Sequence, residues 1–576
     1  MSGVKLIMVA VVAGALLAPA PAEATAAGPS ITSFSPASGP VGTQVKISGA
    51  GFVTGDIVQF SGVTAKQAHV NPAGTRITAT LPPLAPAGLI SVIDPTGLRA
   101  QSARPFTVTR GITAAPAQQW PGGKTTFEGS AFARDATVTL TWNGSPFLSA
   151  DTDANGNFTV GYHVLKTESP GLVNIGVLSY NVILHFSVSS NWPEYGLNSQ
   201  HTGADPFELF LTESHVAAGL KVGPLFSVIP YLGSTSEVIG APVLVGNVAY
   251  VVAAEPSTSS SKLMAFNRTT RTLIWASVAF GSSTSAPAVD GNRVFVASLD
   301  QHVYEFPTSC SNPCSPGWTS ALAGGLFHAS SPEAFDGDVF VAATDGKVYA
   351  YPESCSATCN PLWVSKATGG PIYGSPAVDN GVVYIGSSDD TVYAYSVACS
   401  KTCSPLWTSD PTGAAILGSP TVDGSSVFIF STDGKLYAFP EKCSKSPCAP
   451  AWVSDPIAGN NATPAAVGGR VYIASGSTVY GYTESCSFPC APVWQSQAEP
   501  GVFQGDAAIA NGVLYTDNQY TASGSGILYA FDTTNSSCSP GCAPIWQSPP
   551  LQAVSDPAVS GSVYVGVADG GFYPIS

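Results

Sequence analysis

From about residue 190 onward the hydrophobic residues come in short β-prone runs, such as VVYIG and TVYAY, cut by polar Asp-Gly, Asp-Asn and Asp-Asp turns. The clearest stretch, Gly374 to Ser409, reads GSPAVDNGVVYIGSSDDTVYAYSVACSKTCSPLWTS. It holds a small-Pro-Ala-Val run, a turn, a second apolar run, a turn, a third run, a Cys pair and a final PLWTS run. Related stretches occupy Ser285 to Ser320 and Ser419 to Ser454. Four antiparallel strands per period is the pattern of a propeller blade, whereas a parallel β-helix would use shorter coils and no hairpin turns.

Cysteine positions set the period. Pairs fall at Cys310/Cys314, Cys355/Cys359, Cys399/Cys403, Cys443/Cys448, Cys486/Cys490 and Cys538/Cys542, at intervals of 45, 44, 44, 43 and 52 residues. The first-strand marker recurs at Pro242, Pro287, Pro332, Pro376, Pro420, Pro464, Ala507 and Pro557, which counts eight blades. The last-strand aromatic recurs at Trp275, Trp318, Trp363, Trp407, Trp452, Trp494 and Trp546, which counts seven. The upstream segment GPLFSVIP, with Phe226 in the Trp position, is expected to complete the last blade and close the ring, leaving no open sheet edge. Each Cys pair is expected to staple a small turn between third and fourth strands, a place blade one fills with Asn267 to Arg271.

Ahead of the repeat, residues 30–109 and 110–188 each show short β-prone segments with Pro-Gly punctuation, so two small β-sandwiches are expected. The whole chain therefore reads as all-β: two N-terminal Ig-like β-sandwich domains followed by an eight-bladed β-propeller over residues 190–576. Inside the second sandwich, Asp151-Thr152-Asp153-Ala154-Asn155-Gly156 matches the first half of a calcium loop but has Tyr162 where the loop needs Glu, and an Asn-Gly hairpin explains it more simply.

The repeated VYAY/LYAF…PLW elements, with the entry segment NWPEYGLNSQHTGADP, resemble the pyrroloquinoline-quinone-like propeller family. That family includes eight-bladed quinoprotein dehydrogenases and the non-enzymatic propeller of the outer-membrane β-barrel assembly machinery. Ser35-Pro36…Gly39-Pro40…Gly42-Thr43…Gly49-Ala50-Gly51-Phe52 resembles the IPT/TIG immunoglobulin-like family, which implies a spacer or binding module.

Charge and targeting narrow the function. The chain of 576 residues has 22 Lys+Arg against 37 Asp+Glu, a net charge of −15, and no basic cluster, so nucleic acid is not an expected partner. Residues 1–27 read as a secretory signal peptide, with Lys5 before an apolar run and Ala-x-Ala sites after it. No later segment is long and apolar enough for a membrane helix. A secreted or cell-surface protein is expected, periplasmic in a two-membraned host, and monomeric. Export favours six disulfides over metal binding, because no His accompanies the Cys pairs.

Candidate chemistry is sparse. The dehydrogenase branch of the family has adjacent cysteines, and this chain has no Cys-Cys dipeptide, no metal-type His spacing and no nucleophile elbow. No catalytic residue and no quinone cofactor are therefore expected. Asp345, Asp389 and Asp433 fall at turns, where a carboxylate bonds its own backbone. Just before the marker, six blades carry Ala, Ser or Thr, but the last two carry Asp506 and Asp556. Two neighbouring carboxylates favour a cation such as calcium, or a raised pKa; the plainer reading is that each caps a local turn. Loops leading into the first strands place Phe327, His328, Tyr373, Asn461, Phe503 and Gln504 at one channel mouth, a face suited to a glycan or peptide. The expected function is non-enzymatic binding of a protein or carbohydrate partner, with a quinoprotein dehydrogenase or a periplasmic outer-membrane assembly factor as alternatives.

Overall fold

A computed structural model of the chain describes residues 28–65, 68–115, 118–119, 124–165, 171–188, 191–205, 208, 211–233, 236–459, 462–503, 506–519, 526–535, 541–552, 555–568 and 570–576. The signal-peptide reading, Asn461, Gln504 and Cys538 lie outside these residues. By compactness the chain forms two units, one holding most residues up to Leu184 and one containing all of His185–Ser576.

In the first unit, strands Ser30–Ser35, Gln44–Ala50, Arg76–Thr80 and Ala68–Val70 form one sheet of the leading sandwich. Val45 and Ile47 point into its core while Lys46 faces outward, the alternation that a sheet wet on one face requires. Residues 111–188 add a three-stranded and a five-stranded sheet. Here the structure corrects the hairpin expected at Asn155-Gly156. Strand Ser145–Asp151 pairs within one sheet and the next strand, Phe158–His163, belongs to the other, so the turn crosses between sheets. Asp153 Oδ1 shapes it by accepting from the amides of Asn155 and Asn157, both at 2.8 Å.

The second unit is the propeller, built of eight antiparallel four-stranded blades with extra short strands at some edges. Blade four shows the plan: Ala377–Asp379, Val382–Gly386, Val392–Ser396 and Trp407–Thr408 lie in order from the axis outward. Second strands such as VVYIG are apolar at consecutive positions because each blade is packed on both faces; Val383 to Gly386 are all buried. The ring closes as the sequence predicts. Phe226–Ser227 pairs antiparallel with the last strand, Gly571–Ile575, and the Phe226 ring stacks on Phe572 at 4.4 Å.

Two devices join blades at the rim. The indole Nε1 of Trp275, Trp318 and Trp363 donates to the carbonyls of Thr308, Glu353 and Val397 at 3.1, 2.9 and 2.9 Å, each on the following blade. Trp546 donates to Leu220 at 3.1 Å, so the closing segment takes part in the same series.

The Cys loops are the second device; the five described pairs staple the turns between third and fourth strands as expected, and the structure adds where those loops pack. Disulfides join the first five pairs, while the expected partner of Cys542, Cys538, lies outside the described residues. The first cysteine of each of those five stays half-buried at the turn. The second is core: Cys314, Cys359, Cys403, Cys448 and Cys490 are fully buried, and Cys542 nearly so. Each packs in one cluster with the last-strand Trp of the blade before. Cys314 lies with Trp275, Cys448 with Trp407, Cys490 with Trp452 and Cys542 with Trp494. The reason is that the loop leaves its own blade and runs along the preceding one. Ala357–Cys359 is parallel to Trp318–Ser320, and Lys401–Cys403 to Trp363–Ser365. Cys314, Cys448, Cys490 and Cys542 make single parallel bridges to Ser277, Ser409, Ser454 and Ser496. A cysteine sulfur, small and apolar, fills the interblade cleft that this course creates. Replacing Cys355 and Cys359 together by Ser should lower stability by at least about 2 kcal/mol, the loop-entropy value for so short a loop. Amide exchange at Trp318–Ser320 should accelerate with it, because the clasped strand belongs to the neighbouring blade; unchanged exchange there would refute the clasp.

Candidate functional site

The entry segment that precedes the repeat is drawn into the propeller channel. Its backbone bonds the innermost strands of blades one, two, four and five: Trp192 with Leu244, Pro193 O with Val289 N at 2.8 Å, Ser199 O with Val378 N at 2.5 Å, and Gln200 O with Val422 N at 2.8 Å. Thr202 and Gly203 carbonyls then accept from Ala466 and Ile509, both at 2.7 Å, and Ala204–Asp205 pairs with the innermost strand of blade seven. Glu208 reaches blade eight by accepting from the Gly561 amide at 2.6 Å. A peptide plug thus satisfies inner-strand amides around the ring and floors the channel.

Above the plug, the residues before the markers form a circumferential ladder. Ser331 Oγ accepts from Ala286 N at 3.0 Å, Ser375 Oγ from Ser331 N at 2.9 Å, and Ser419 Oγ from Ser375 N at 2.9 Å. Thr463 Oγ1 accepts from Ser419 N at 3.3 Å, Asp506 Oδ1 from Thr463 N at 2.6 Å, and Asp556 Oδ1 from Asp506 N at 2.7 Å. Asp506 and Asp556 therefore do come together, and each caps the preceding blade, not a local turn. Their second oxygens differ. Asp506 Oδ2 takes the hydroxyl of Tyr195, which also bonds Thr463 Oγ1 at 2.8 Å, whereas Asp556 Oδ2 has no hydrogen-bond partner among the described residues.

These groups line a cavity of about 390 Å³ with His328 and Tyr373 on the far wall, their rings edge-on at 5.7 Å. Burial and the neighbouring Asp556 charge push Asp506 up to about 8, and burial raises Asp556. Asp517, 2% exposed, is pushed up to about 7 by burial and by Asp556, and its Oδ1 has no hydrogen-bond partner. Calcium takes ~6–8 oxygens. With both Oδ1 atoms committed to amides and Asp506 Oδ2 to Tyr195, the pair offers too few, and no metal-holding group of three or more His, Cys, Asp or Glu occurs among the described residues.

A second buried cluster fixes the plug. His201 Nδ1 lies 3.1 Å from Pro420 O, and its Nε2 lies 3.3 Å from Glu333 Oε2. A carbonyl only accepts, so Nδ1 carries the proton. Burial pushes the His201 pKa down to about 4 and Glu333 up to about 8; the neutral ring then accepts at Nε2 from a protonated Glu333. Glu194, also buried, is raised first by burial and then by the Glu333 charge.

Of the expected channel-face residues, His328 is exposed and Tyr373 half-buried, and both line the cavity. Phe327 and Phe503 do not: at 0% and 5% exposure they pack inside blade cores, against Tyr349 and Tyr529. Asp345 and Asp433 cap their own turns through the amides of Lys347 and Lys435, and their other oxygens, like that of Asp389, accept tyrosine hydroxyls. Tyr195, Glu194, His201, Glu333 and Asp517 escape the repeat-based reading. Glu333 had a signal, since the residue after the marker is Val, Ala or Thr in every other blade. Asp517 likewise stands where blade four has Gly386 and blade two Ala297.

Comparison places the propeller in a repeat family. The chain belongs to the family described as "Outer membrane protein assembly factor BamB", matched over residues 232–310 and 312–539. Residues 29–107 match the IPT/TIG domain. No curated protein gives a significant match. Among solved structures, the computationally designed Ika8 protein is 13% identical with a TM-score of 0.50, covering 61% of this chain and 99% of its own. BamB from Moraxella catarrhalis is 19% identical with a TM-score of 0.38, covering 48% and 79%. A quinohemoprotein alcohol dehydrogenase from Comamonas testosteroni is 12% identical with a TM-score of 0.49, covering 67% and 80%.

Pyrroloquinoline quinone is a tricarboxylic acid, and an anion of that kind needs cationic partners. No Lys or Arg is among the described residues of the cavity, and two of its residues are aspartates. The lining does not fit the quinone.

Proposed function

We propose that the protein is an exported, non-enzymatic binding scaffold whose ligand enters the blind channel mouth of the propeller, with the Ig-like modules as spacers or further binding modules. The observation that carries this reading is the cavity of about 390 Å³, which lies in the ordinary size range of small-ligand sites and is walled by His328, Tyr373 and the hydroxyl ladder. Rings beside hydroxyls and carboxyls suit a carbohydrate group more than a long apolar side chain. The test is a glycan and peptide array on the full chain. A His328→Ala/Tyr373→Ala variant should lose at least tenfold in affinity for any hit while keeping its melting temperature, because both side chains face the cavity and not a blade core. Equal binding by the variant would move the site elsewhere. Incubation with quinone and calcium should give no dye reduction; turnover would favour the dehydrogenase reading instead.

Membership of the assembly-factor family supports a second reading, a role in assembling outer-membrane proteins. Cell fractionation separates the two, since that role requires a periplasmic location.

A further inference from the structure

Resting on the reading of the channel mouth as a binding site, we infer that its ligand is an amino sugar, held by its ammonium group at Asp506 and Asp556 and by its oxygens at the hydroxyl side of the cavity.

Two features of the cavity and one buried neighbour of its carboxyl pair point this way. The first is the replacement of the ladder hydroxyl by a carboxyl in two adjacent blades only. A Ser or Thr caps the neighbouring amide equally well in blades three to six, so the ladder does not need the charge. Asp556 Oδ2 is the surplus oxygen: it has no hydrogen-bond partner among the described residues, and Asp556 lines the cavity and is half-buried, not sealed.

The second is Asp517, which is not a lining residue of the cavity but a buried neighbour of Asp556. It is 2% exposed, lies within the field of Asp556, and has an unpartnered Oδ1. Whatever fraction of these carboxyls is ionised has no protein cation to offset it, since no Lys or Arg is among the described lining residues. An ammonium group brings donors to this corner, where Asp556 Oδ2 is the one carboxylate oxygen of the pair not already bonded to a protein donor among the described residues, and the Asp506 carboxyl lies beside it. An ammonium needs far fewer ligands than calcium, which is why the same corner suits it.

The third is the opposite side. Ser331 and Ser419 each accept an amide through Oγ, which leaves the hydroxyl hydrogen for a ligand oxygen, and the buried Thr284 Oγ1 has no hydrogen-bond partner among the described residues. A ligand with hydroxyl or ring oxygens a few ångströms from an ammonium satisfies both sides; a lysine side chain satisfies only one.

Because burial and mutual repulsion leave these carboxyls partly protonated at neutral pH, arrival of an ammonium must displace protons. Isothermal titration of the full chain with the glucosamine dimer, in two buffers of different ionisation enthalpy, should show binding with release of about one proton. The N,N′-diacetylated dimer, equal in ring structure but uncharged, should bind at least tenfold more weakly. Asp556→Asn should weaken the amine by at least tenfold and abolish proton release. Its amide oxygen still caps the Asp506 N–H, so the ladder and the melting temperature should hold. As a second variant, Asp556→Ser restores the residue type of blades three to five and should behave alike.

Equal binding of the two dimers would overturn the inference while leaving the channel mouth as a neutral binding site. Binding of a lysine peptide but of neither dimer would overturn it in favour of a peptide ligand. Failure of both dimers, with no array hit sensitive to His328 and Tyr373, would overturn the binding-site reading as well.

Discussion

Deleting residues 220–232 will abolish the cooperative unfolding transition of the propeller, or leave the chain insoluble. The segment supplies the outer strand of blade eight, and without it the strand Gly571–Ile575 is an open edge. It also removes Phe226, 1% exposed, which stacks on Phe572 and meets Phe266 of blade one at 6.1 Å. The milder Phe226→Ala should cost about 3–5 kcal/mol, the range for truncating a buried aromatic. Calorimetry checks both, and a deletion variant melting like the parent would refute closure by this strand. At the seam with blade eight, where blade one has no Cys pair, the Arg268 guanidinium bonds Ser560 and sits 5.0 Å over the Tyr564 ring.

Breaking the buried cluster of the plug is the second large effect. Glu333→Ala should destabilise by about 1–3 kcal/mol, since it leaves the buried His201 Nε2 without its donor and away from water. Glu333→Gln should be tolerated, because the amide N–H can donate to His201 Nε2 as the protonated carboxyl does. The two variants separate through pH. Glu333 has a folded pKa of about 8, above the ordinary carboxylate value, so the folded state holds a proton that the unfolded chain loses. Its contribution is present at low pH and is lost as pH rises towards 8. His201, lowered to about 4, works oppositely: stability rises as pH climbs from about 4 to its ordinary value of 6.5. Below 6.5 the two slopes oppose each other, and above it stability should fall to about pH 8. Asp506 and Asp517, at about 8 and 7, add to the same fall. The melting temperature of the parent should therefore drop between pH 6.5 and 8, and Glu333→Gln should make the drop shallower. An identical slope in the variant would show that Glu333 holds no proton in the native state.

The fold was largely legible because the repeat is local. A blade's strands, turns and Cys pair recur within one period, and even the closing strand could be found from a missing Trp. The site was legible only in part. Asp506 and Asp556 showed themselves as departures at an aligned position, and His328 and Tyr373 as loop residues. Phe327 and Phe503 were misplaced because loop position alone does not say whether a ring turns into the cavity or into the blade core beneath it. Cys314, Cys448, Cys490 and Cys542 follow the same rule, since their spacing shows a small loop but not the neighbouring blade into which it folds. The limit applied again at Asn155-Gly156, a local turn signal that cannot tell a hairpin from a crossing between sheets.

The amino-acid sequence alone determined the strand pattern, the blade number and the placement of the Cys pairs along the chain, because short-range periodicity and turn chemistry dictate them. Only the tertiary structure decided that Asn191–Asp205 plugs the channel and that Glu333, Asp517 and Tyr195 carry its chemistry. Closing the ring brings inner strands hundreds of residues apart within hydrogen-bonding distance of one peptide, and burial there sets which carboxyls keep their protons.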